Sequence, residues 1–377
     1  MTGATLDFTE ASRIPLAVRT AAGGGCEARR FPALAHESLF DTSLRASQGG
    51  SGCRARPRRQ TPGMNSRVHP KYKTKHRVAN WAEYDRGLVR RGDITLWHSP
   101  EAIAAWKPAP GGRRVGQQRY SNLAIENALT LRLVLNLPLR QAEGFLRSVL
   151  ALMGADLEAP DHTTLSERSQ RLGVQLHRVP VGRPVHLIVD STGLSIVGEG
   201  EWAAAKHGGK GKRGWRKLHL GVDRAGVIVA QVLTKGNADD AAQFGGLLDA
   251  VGGNLASSTA DAAHDTVAVY AAAGARGAKV IVPPVRNART SRRRSRSPMR
   301  DRTINRVRRV GRRRWKKESG YYQQARVENA LFRYKSIIGD RLRARHFKAQ
   351  QTEALIACNI LNRMTGLGRP ASCSIGA

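Results

Sequence analysis

Apolar residues recur at helical spacing in the middle of the chain. In SNLAIENALTLRLVLNL (121–137) they follow one another at intervals of three and four residues, and LPLRQAEGFLRSVLALMG (137–154) repeats the pattern up to a glycine suited to a C-cap. DHTTLSERSQRL (161–172) then begins with Asp161 or Thr163 as an N-cap. The pattern predicts three helices, of which the last is short and polar.

This order of helices leaves two interpretations open. Two helices, a break and a short helix that carries Arg168 and Arg171 are typical of a helix-turn-helix whose last helix reads DNA. Three helices that only pack on one another give the same pattern.

From Val185 the period changes to that of β-strands. Three short runs, VHLIVD (185–190), RKLHLGVD (216–223) and GVIVAQVLT (226–234), predict an antiparallel meander whose first strand ends at Asp190. A helix, a weak strand (LASSTAD), a second helix and a buried strand (AKVIVPP) follow, and helical spacing returns in ARVENALFRYKSII and TEALIACNILNRM. This order predicts an α/β fold with a ribonuclease H-like mixed sheet and helices.

The charge of the chain indicates a polyanionic partner. Lys and Arg number 63 against 29 Asp and Glu, which gives a net charge of +34 and a pI near 11.3. Since each neutralised phosphate releases counterions, DNA is the first candidate, and RNA is an alternative that rests on the charge alone. The sequence has neither a run of about 18 apolar residues nor the start of a signal peptide, so we expect a cytoplasmic protein without membrane contact.

The changes of pattern and charge divide the chain into segments. Residues 1–72 are rich in Gly, Ala, Ser and Arg without a sustained period, which predicts a disordered extension. Met64 stands just before the composition changes, so a translated extension and a reading frame that starts at Met64 both stay open. We predict an α-helical DNA-binding domain of helix-turn-helix type over residues 73–182, a ribonuclease H-like domain over residues 183–368 and a tail over residues 369–377.

The densest positive charge lies in residues 286–317, a basic insertion with sixteen Arg or Lys and one acid, Asp301. Such a segment is normally solvated and mobile until it meets phosphate. We expect it to bind DNA, and a flexible linker that never touches DNA is the alternative. Trp215 (GKRGWRKLH) and Trp315 (RRRWKK) are candidates for stacking on unpaired bases, with a packed tryptophan as the alternative.

Three acids stand out in this basic chain. Asp190 ends the first predicted strand, Asp261 (TADAAHD) ends the weak strand, and Glu328 (ARVENALFRYK) lies on a late helix. A sheet of this type brings the ends of its first and fourth strands side by side, so the three carboxylates are predicted to converge. Turn chemistry for Asp190, which precedes Ser-Thr-Gly, and a solvated surface charge for Glu328 are the alternatives.

Converging carboxylates need cations. They repel one another unless cations neutralise them, and hard oxygen ligands favour Mg²⁺ or Mn²⁺. Two such ions activate a water or a 3′-hydroxyl and stabilise the leaving oxygen of a phosphodiester. The acids therefore predict a two-metal site that acts on DNA.

Five stretches resemble the DDE transposases of bacterial insertion sequences, specifically the insertion sequence 5 family. They are NWAEYDRGLVRRGDITLWHSP, LTLRLVLNLPLRQAEGFLRS, VDSTGLSIVGEGEWAAAKHG, WRKLHLGVD and SGYYQQARVENALFRYKSIIGDRLRAR, within about residues 75–370. The resemblance implies a ribonuclease H-like core in which Asp190, Asp261 and Glu328 are the catalytic residues and the ligands of two Mg²⁺. It also implies that a homo-oligomer on the terminal inverted repeats nicks the transposon ends and joins the 3′-hydroxyls to target DNA.

The family's signature around the glutamate is Tyr, two residues, Arg, three residues, Glu, six residues, Lys. Tyr321, Glu328 and Lys335 match it, whereas Gln324 stands where Arg is expected. The resemblance and the charge together predict that Tyr321, Gln324, Lys335, Trp215 and Arg286 contact DNA.

Two further positions depart from the family's pattern. His264 stands where the motif after the second aspartate usually has Tyr, and Val285 follows the two prolines where Arg is usual, with Arg286 next. The resemblance therefore leaves a second function open, a catalytically impaired DNA-binding remnant that occupies element ends without cleavage.

Overall fold

The computed structural model describes residues 76–97, 103–108, 118–177, 184–196, 214–291 and 297–374. All of them belong to one unit that spans residues 70–377. The extension predicted over residues 1–72 lies outside the described residues.

A mixed sheet forms the centre of the described chain. Its strands are β2 (Val185–Ile196), β3 (Trp215–Val222), β4 (Ile228–Lys235), β5 (Leu255–Thr259), β6 (Lys279–Ile281) and β7 (Arg341–Leu342), while β1 (His76–Val78) pairs with β8 (Ser372–Ser374) in a separate ribbon. The sheet order is β4-β3-β2-β5-β6, and β7 pairs with the far end of β2. β3 is antiparallel to both β2 and β4, whereas β5 and β6 run parallel to β2. This arrangement confirms the predicted fold class and the predicted meander.

β2 is longer than the sequence predicted. It continues past Asp190 to Ile196, so the prediction that the strand ends at Asp190 is wrong, and the Ser-Thr-Gly that follows is strand rather than turn. The strand continues because its second half pairs with β3, up to Ser195 opposite Trp215. Gly193 suits this register, since a Cβ there would come within 3.1 Å of the Trp215 ring. Cross-strand packing therefore overrides the turn propensity of the three residues.

The predicted helices are confirmed. The α-helices of the described residues are α1 (Trp81–Arg90), α2 (Ile94–Trp97), α3 (Asn122–Val134), α4 (Leu139–Leu152), α5 (His162–Arg168), α6 (Asp240–Ala250), α7 (Val267–Ala275), α8 (Pro298–Val310), α9 (Arg312–Ser319), α10 (Ala325–Arg333) and α11 (Phe347–Gly366). Asp161 caps α5 by accepting the N–H groups of Thr163 and Thr164, and Gly154 follows α4 with a left-handed φ of 64°. Among the described residues, no helix is both long and apolar enough to cross a membrane.

Helices cover both faces of the sheet. Ile188 and Leu194 of β2 lie in a hydrophobic cluster with α3, α4, α5, α10 and α11. Leu187 and Val189, which alternate with them along the strand, lie in a second cluster with α6 and α7. The N-terminal helices and the sheet thus share a core. The domain boundary predicted at residue 182 falls between described residues and stays a prediction.

The short helix α5 turns its one arginine, Arg168, inward. The Arg168 guanidinium donates to the Tyr120 carbonyl over 3.1 Å and to the Asn122 side chain over 2.6 Å. Arg171, by contrast, is exposed. At Arg168 the structure favours the packing interpretation of these helices.

The basic insertion is helical over residues 298–310 and from residue 312 to its end. The expectation of a solvated, mobile segment is wrong for α8 and α9, because each helix buries one large side chain, Ile304 and Trp315 respectively. Arg306 of α8 and Arg314 of α9 both pair with Glu318, so the two helices are also joined by charge. The burial of Trp315 favours its packed interpretation over base stacking.

Candidate active site

The middle of β2 has an open side. β5 pairs with residues 185–188 and β7 with residues 195–196 of this strand, and no described strand pairs with the stretch between them on that side. Asp190 lies in this gap. Because side chains alternate along a strand, Asp190 points to the same face as Ile188, the face that α10 covers.

Asp261 lies beside Asp190 at the end of the neighbouring strand. Ile188 of β2 is in register with Thr259, the last residue of β5, and both aspartates follow two residues later. The N–H of Ala263 donates to Asp261 Oδ1 over 3.1 Å, which caps the short 3₁₀-helix that begins there. The prediction that the first and fourth strands bring these two acids together is confirmed at the level of register.

Glu328 joins the two aspartates from α10, which packs across β2 and β3. Burial is the main cause that raises the pKa of Asp190, the Ser191 N–H that it accepts lowers it, and the negative charges of Asp261 and Glu328 raise it further. Asp190 therefore lies close enough to both other carboxylates to be repelled by their charge. Asp190 is half-buried, while Glu328 is exposed.

A buried histidine holds Asp261. His264 Nδ1 lies 2.8 Å from Asp261 Oδ1, and its ring, 2% exposed, packs beside Phe244 with 5.9 Å between centroids. Such a hydrogen bond restricts the carboxylate to one orientation and leaves Oδ2 pointing away from the ring. At the position where the resemblance leads us to expect Tyr, the chain thus has a different hydrogen-bonding partner for the second acid.

Gln324 lies under the site rather than on its surface. Its Nε2 donates to the Val189 carbonyl over 3.0 Å, within the open side of β2, and only 4% of the residue is exposed. Its Oε1 is buried without a hydrogen-bond partner among the described residues. A side chain so placed does not face DNA, so this position gives no support to the predicted DNA contact and indicates a positioning role instead.

Tyr321 faces the carboxylates. Burial raises the pKa of Tyr321 to about 12, and the charges of Asp261, Glu328 and Asp190 add to the effect. The Lys316 ammonium lies 4.8 Å from the centre of its ring, and the Trp315 ring lies 6.3 Å away. The phenol is therefore a neutral hydrogen-bond donor beside the acids at any ordinary pH.

The other predicted DNA contacts lie on the surface. Trp215 is 43% exposed at the start of β3, and Arg286 and Lys335 are exposed. Lys335 belongs to a π-helical turn, Tyr334–Ile338, that directly follows α10. Their roles stay predictions.

A buried ion pair that the sequence did not predict, Arg300–Asp265, lies near the site. Arg300 of α8 donates to both oxygens of Asp265, over 2.7 and 2.9 Å, and the Asp265 side chain is fully buried. Asp265 also accepts the Val285 N–H over 2.9 Å. Asp265 is the final acid of the motif TADAAHD, but one sequence offers no signal that pairs it with one arginine among the fourteen of the basic insertion.

The described residues contain no preformed metal site that would support Asp190, Asp261 and Glu328 as metal ligands. In the described part of the chain, no three His, Cys, Asp or Glu side chains are grouped closely enough to hold a metal ion. What the structure brings together is a set of carboxylates from three separate elements, whose oxygens are of the type that Mg²⁺ and Mn²⁺ prefer.

Two family models match the chain, and both are described as a transposase DDE domain. One matches residues 89–199 and the other residues 182–363. The second match includes Asp190, Asp261 and Glu328. The finer assignment to the insertion sequence 5 family stays a prediction.

Proposed function

Because the chain belongs to the DDE transposases, we propose that it binds the terminal repeats of an insertion sequence of the insertion sequence 5 type, nicks the element ends and transfers the 3′-hydroxyls to target DNA. Asp190, Asp261 and Glu328 carry this chemistry. A homo-oligomer holds two ends together during transfer.

One observation carries the proposal: the register of β2 and β5 brings Asp190 beside Asp261 at the open side of β2, and the charges of Asp261 and of Glu328 on α10 both act on Asp190. Carboxylates that lie close together repel one another unless cations neutralise them. Their convergence is explained if they act together on a ligand.

The donor set fits divalent cations. Asp190, Asp261 and Glu328 would hold them, because all three supply hard oxygen ligands and bound cations would offset the repulsion that Asp190 receives from Asp261 and Glu328. The chemistry that two bound Mg²⁺ or Mn²⁺ ions supply is activation of the attacking hydroxyl and stabilisation of the leaving oxygen.

The surrounding residues orient these acids and attract the substrate. His264 holds Asp261 by one oxygen, and Gln324 holds the Val189 backbone next to Asp190. The neutral Tyr321 phenol donates to a phosphate oxygen of the strand being cut. The exposed arginines of α8 and α9 draw the DNA backbone toward this side of the sheet.

The test is cleavage of a labelled duplex that carries the end of the element, in Mg²⁺, Mn²⁺ or EDTA. Asp190→Asn removes one charge and one ligand, so we expect strand cleavage to fall more than about 100-fold, equivalent to several kcal/mol of transition-state stabilisation. Asp249→Asn is the matched control, since Asp249 is exposed on α6 at the opposite face of the sheet.

Binding measured in parallel separates the proposal from its rival. Both variants should bind the duplex as tightly as the unchanged protein does. Tight binding without metal-dependent cutting by any of the three proteins would contradict the proposal and favour the DNA-binding remnant. Equal cutting by Asp190→Asn and Asp249→Asn would remove Asp190 from the site.

A further inference from the structure

A cavity of about 660 Å³ lies away from the three carboxylates, between α3, the segment after β7 and α11. Its apolar wall includes Leu133 and Ile356, and its polar wall includes Arg132, Arg343, Arg345 and His346. The size is that of a small-ligand pocket, which typically holds about 300–1,000 Å³. A cavity with one apolar and one cationic wall suits a ligand with one apolar and one anionic part.

Arg132 is the unusual side chain of this cavity. It is 7% exposed, and its Nε atom is buried without a hydrogen-bond partner among the described residues. Burial lowers the pKa of Arg132, and the neighbouring charge of Glu353 only partly offsets this effect. A buried guanidinium that lacks full hydrogen bonding destabilises the folded protein unless an anion completes it.

Glu353, which also lines the cavity, accepts hydrogen bonds from backbone groups rather than from the Arg132 side chain. Its carboxylate accepts the backbone N–H groups of Arg343 over 2.9 Å and of Ala344 over 2.8 Å. The exposed Arg345 and His346 follow directly at the mouth. The cavity is therefore lined by three guanidinium groups, those of Arg132, Arg343 and Arg345, and by one carboxylate, so its net charge is positive.

Resting on the proposed function, we propose that this cavity binds one phosphate group of a DNA strand and holds the attached nucleoside against the apolar wall. A bare phosphate would leave most of the volume and the whole apolar wall unused. An apolar ligand would leave Arg132 unpaired.

The fold places the cavity within reach of a strand bound at the acids. Leu342 of β7 pairs with Ile196, and the cavity residue Arg343 follows it. Ile196 is six residues beyond Asp190 on β2, which is about 20 Å along an extended strand. DNA rises about 3.4 Å per nucleotide, so roughly six nucleotides bridge that length.

The first test compares DNA affinity in EDTA, where no cleavage is required. The probe is a fluorescent duplex with a short single-stranded tail. Arg132→Met keeps the side chain's apolar volume, and we expect it to weaken binding about tenfold through the loss of one charge-assisted contact. Arg147→Met is the control, because Arg147 is 70% exposed, pairs with Glu143 and does not line the cavity.

Melting temperature gives the readout that a structural role would not produce. Arg132→Met should melt at the same or a higher temperature than the unchanged protein, since it removes an incompletely paired buried charge. Thymidine 5′-monophosphate should raise the melting temperature of the unchanged protein more than thymidine or inorganic phosphate does, and Arg132→Met should lose this gain.

Three results would each contradict a different part of the proposal. A lower melting temperature of Arg132→Met makes Arg132 structural and overturns the proposal. Stabilisation by the mononucleotide with unchanged DNA affinity identifies a free nucleotide as the ligand and overturns the assignment to a DNA strand. Either result leaves the cleavage test at Asp190 intact, whereas absence of any DNA binding by the unchanged protein contradicts the proposed function itself.

Discussion

Gln324 and His264 show how single residues support the site with chemistry unlike that expected. Gln324 donates to the Val189 carbonyl at a position that is 4% exposed. An arginine there would need an anion in a buried place, whereas the amide supplies a donor without a charge. His264 likewise binds Asp261 through a ring nitrogen. Gln324 and His264 therefore each hydrogen-bond the backbone or the carboxylate that they support.

We predict that Gln324→Ala lowers the free energy of unfolding by about 2–3 kcal/mol, because it leaves a buried carbonyl unpaired and opens a small cavity. Urea unfolding measures this loss. Gln323→Ala is the control, since the neighbouring Gln323 is only half-buried and accepts from Arg326, and its effect should stay within about 0.5 kcal/mol. Equal losses in both variants would count against the role assigned to Gln324.

At the scale of elements, the basic insertion is attached to the catalytic side of the sheet by its own arginines. Arg300 pairs with Asp265, Arg308 donates to the Ala288 carbonyl over 3.0 Å, and Arg312 donates to the Pro284 carbonyl over 2.5 Å. Arg300 therefore binds an acid of the segment after β5, whereas Arg308 and Arg312 bind carbonyls of the loop that follows β6. Some arginines of the basic insertion therefore stabilise the fold rather than bind DNA. They also fix the position of the helices that carry the exposed arginines.

We predict that Arg300→Ala lowers the free energy of unfolding by about 3–4 kcal/mol, because it leaves the Asp265 carboxylate buried without its partner. Thermal and urea unfolding measure the loss. Arg302→Ala, at an exposed position of the same helix, should be nearly neutral.

A double variant tests the cause of this loss. Arg300→Leu combined with Asp265→Asn leaves no buried charge, so it should be more stable than Arg300→Ala. A double variant as unstable as the single one would show that lost packing, rather than the unpaired charge, is responsible.

At the scale of the whole molecule, a buried polar cluster joins the sheet to α6 on the face opposite the acids. His219 is 1% exposed, its Nε2 lies 3.0 Å from Thr234 Oγ1, and its Nδ1 lies 3.3 Å from an oxygen of Asp240. Burial lowers the pKa of His219 to about 4; Asp240 opposes this shift, whereas Lys217 and His264 add to it. The folded protein thus keeps this imidazole neutral.

The consequence is a loss of stability in mild acid. Between the ordinary histidine value of 6.5 and about 4, the unfolded chain binds a proton at His219 that the folded protein does not. Stability is therefore full above that window and falls as pH drops through it, by on the order of 3 kcal/mol from this residue. Urea unfolding at several pH values measures the slope.

His219→Gln should flatten that slope, because glutamine does not titrate. The same change at the exposed His177 should leave the slope as it is. An unchanged slope in His219→Gln would mean that other groups cause the acid sensitivity.

The hydrophobic pattern predicted the elements well where burial is periodic. The spacing of Val327, Leu331, Tyr334 and Ile338 predicts a buried helical face. The first three are buried, and Ile338, which ends the π-helical turn, is half-buried. The pattern failed where partners distant in sequence decide the local structure. The end of β2 depends on β3, and the helices of the basic insertion depend on Asp265 and Glu318, which the local composition does not reveal.

The sequence by itself determined the fold class, the family resemblance and the three candidate acids, because periodic burial and short motifs are properties of local sequence. Only the tertiary structure decided which polar groups are buried together. It placed Gln324 under β2, paired Arg300 with Asp265 and left Arg132 incompletely bonded in a cavity. The physical reason is that desolvation and hydrogen-bond completion depend on contacts between residues far apart in the chain, and an arginine on its own gives no sign of whether it will meet water, a carboxylate or DNA.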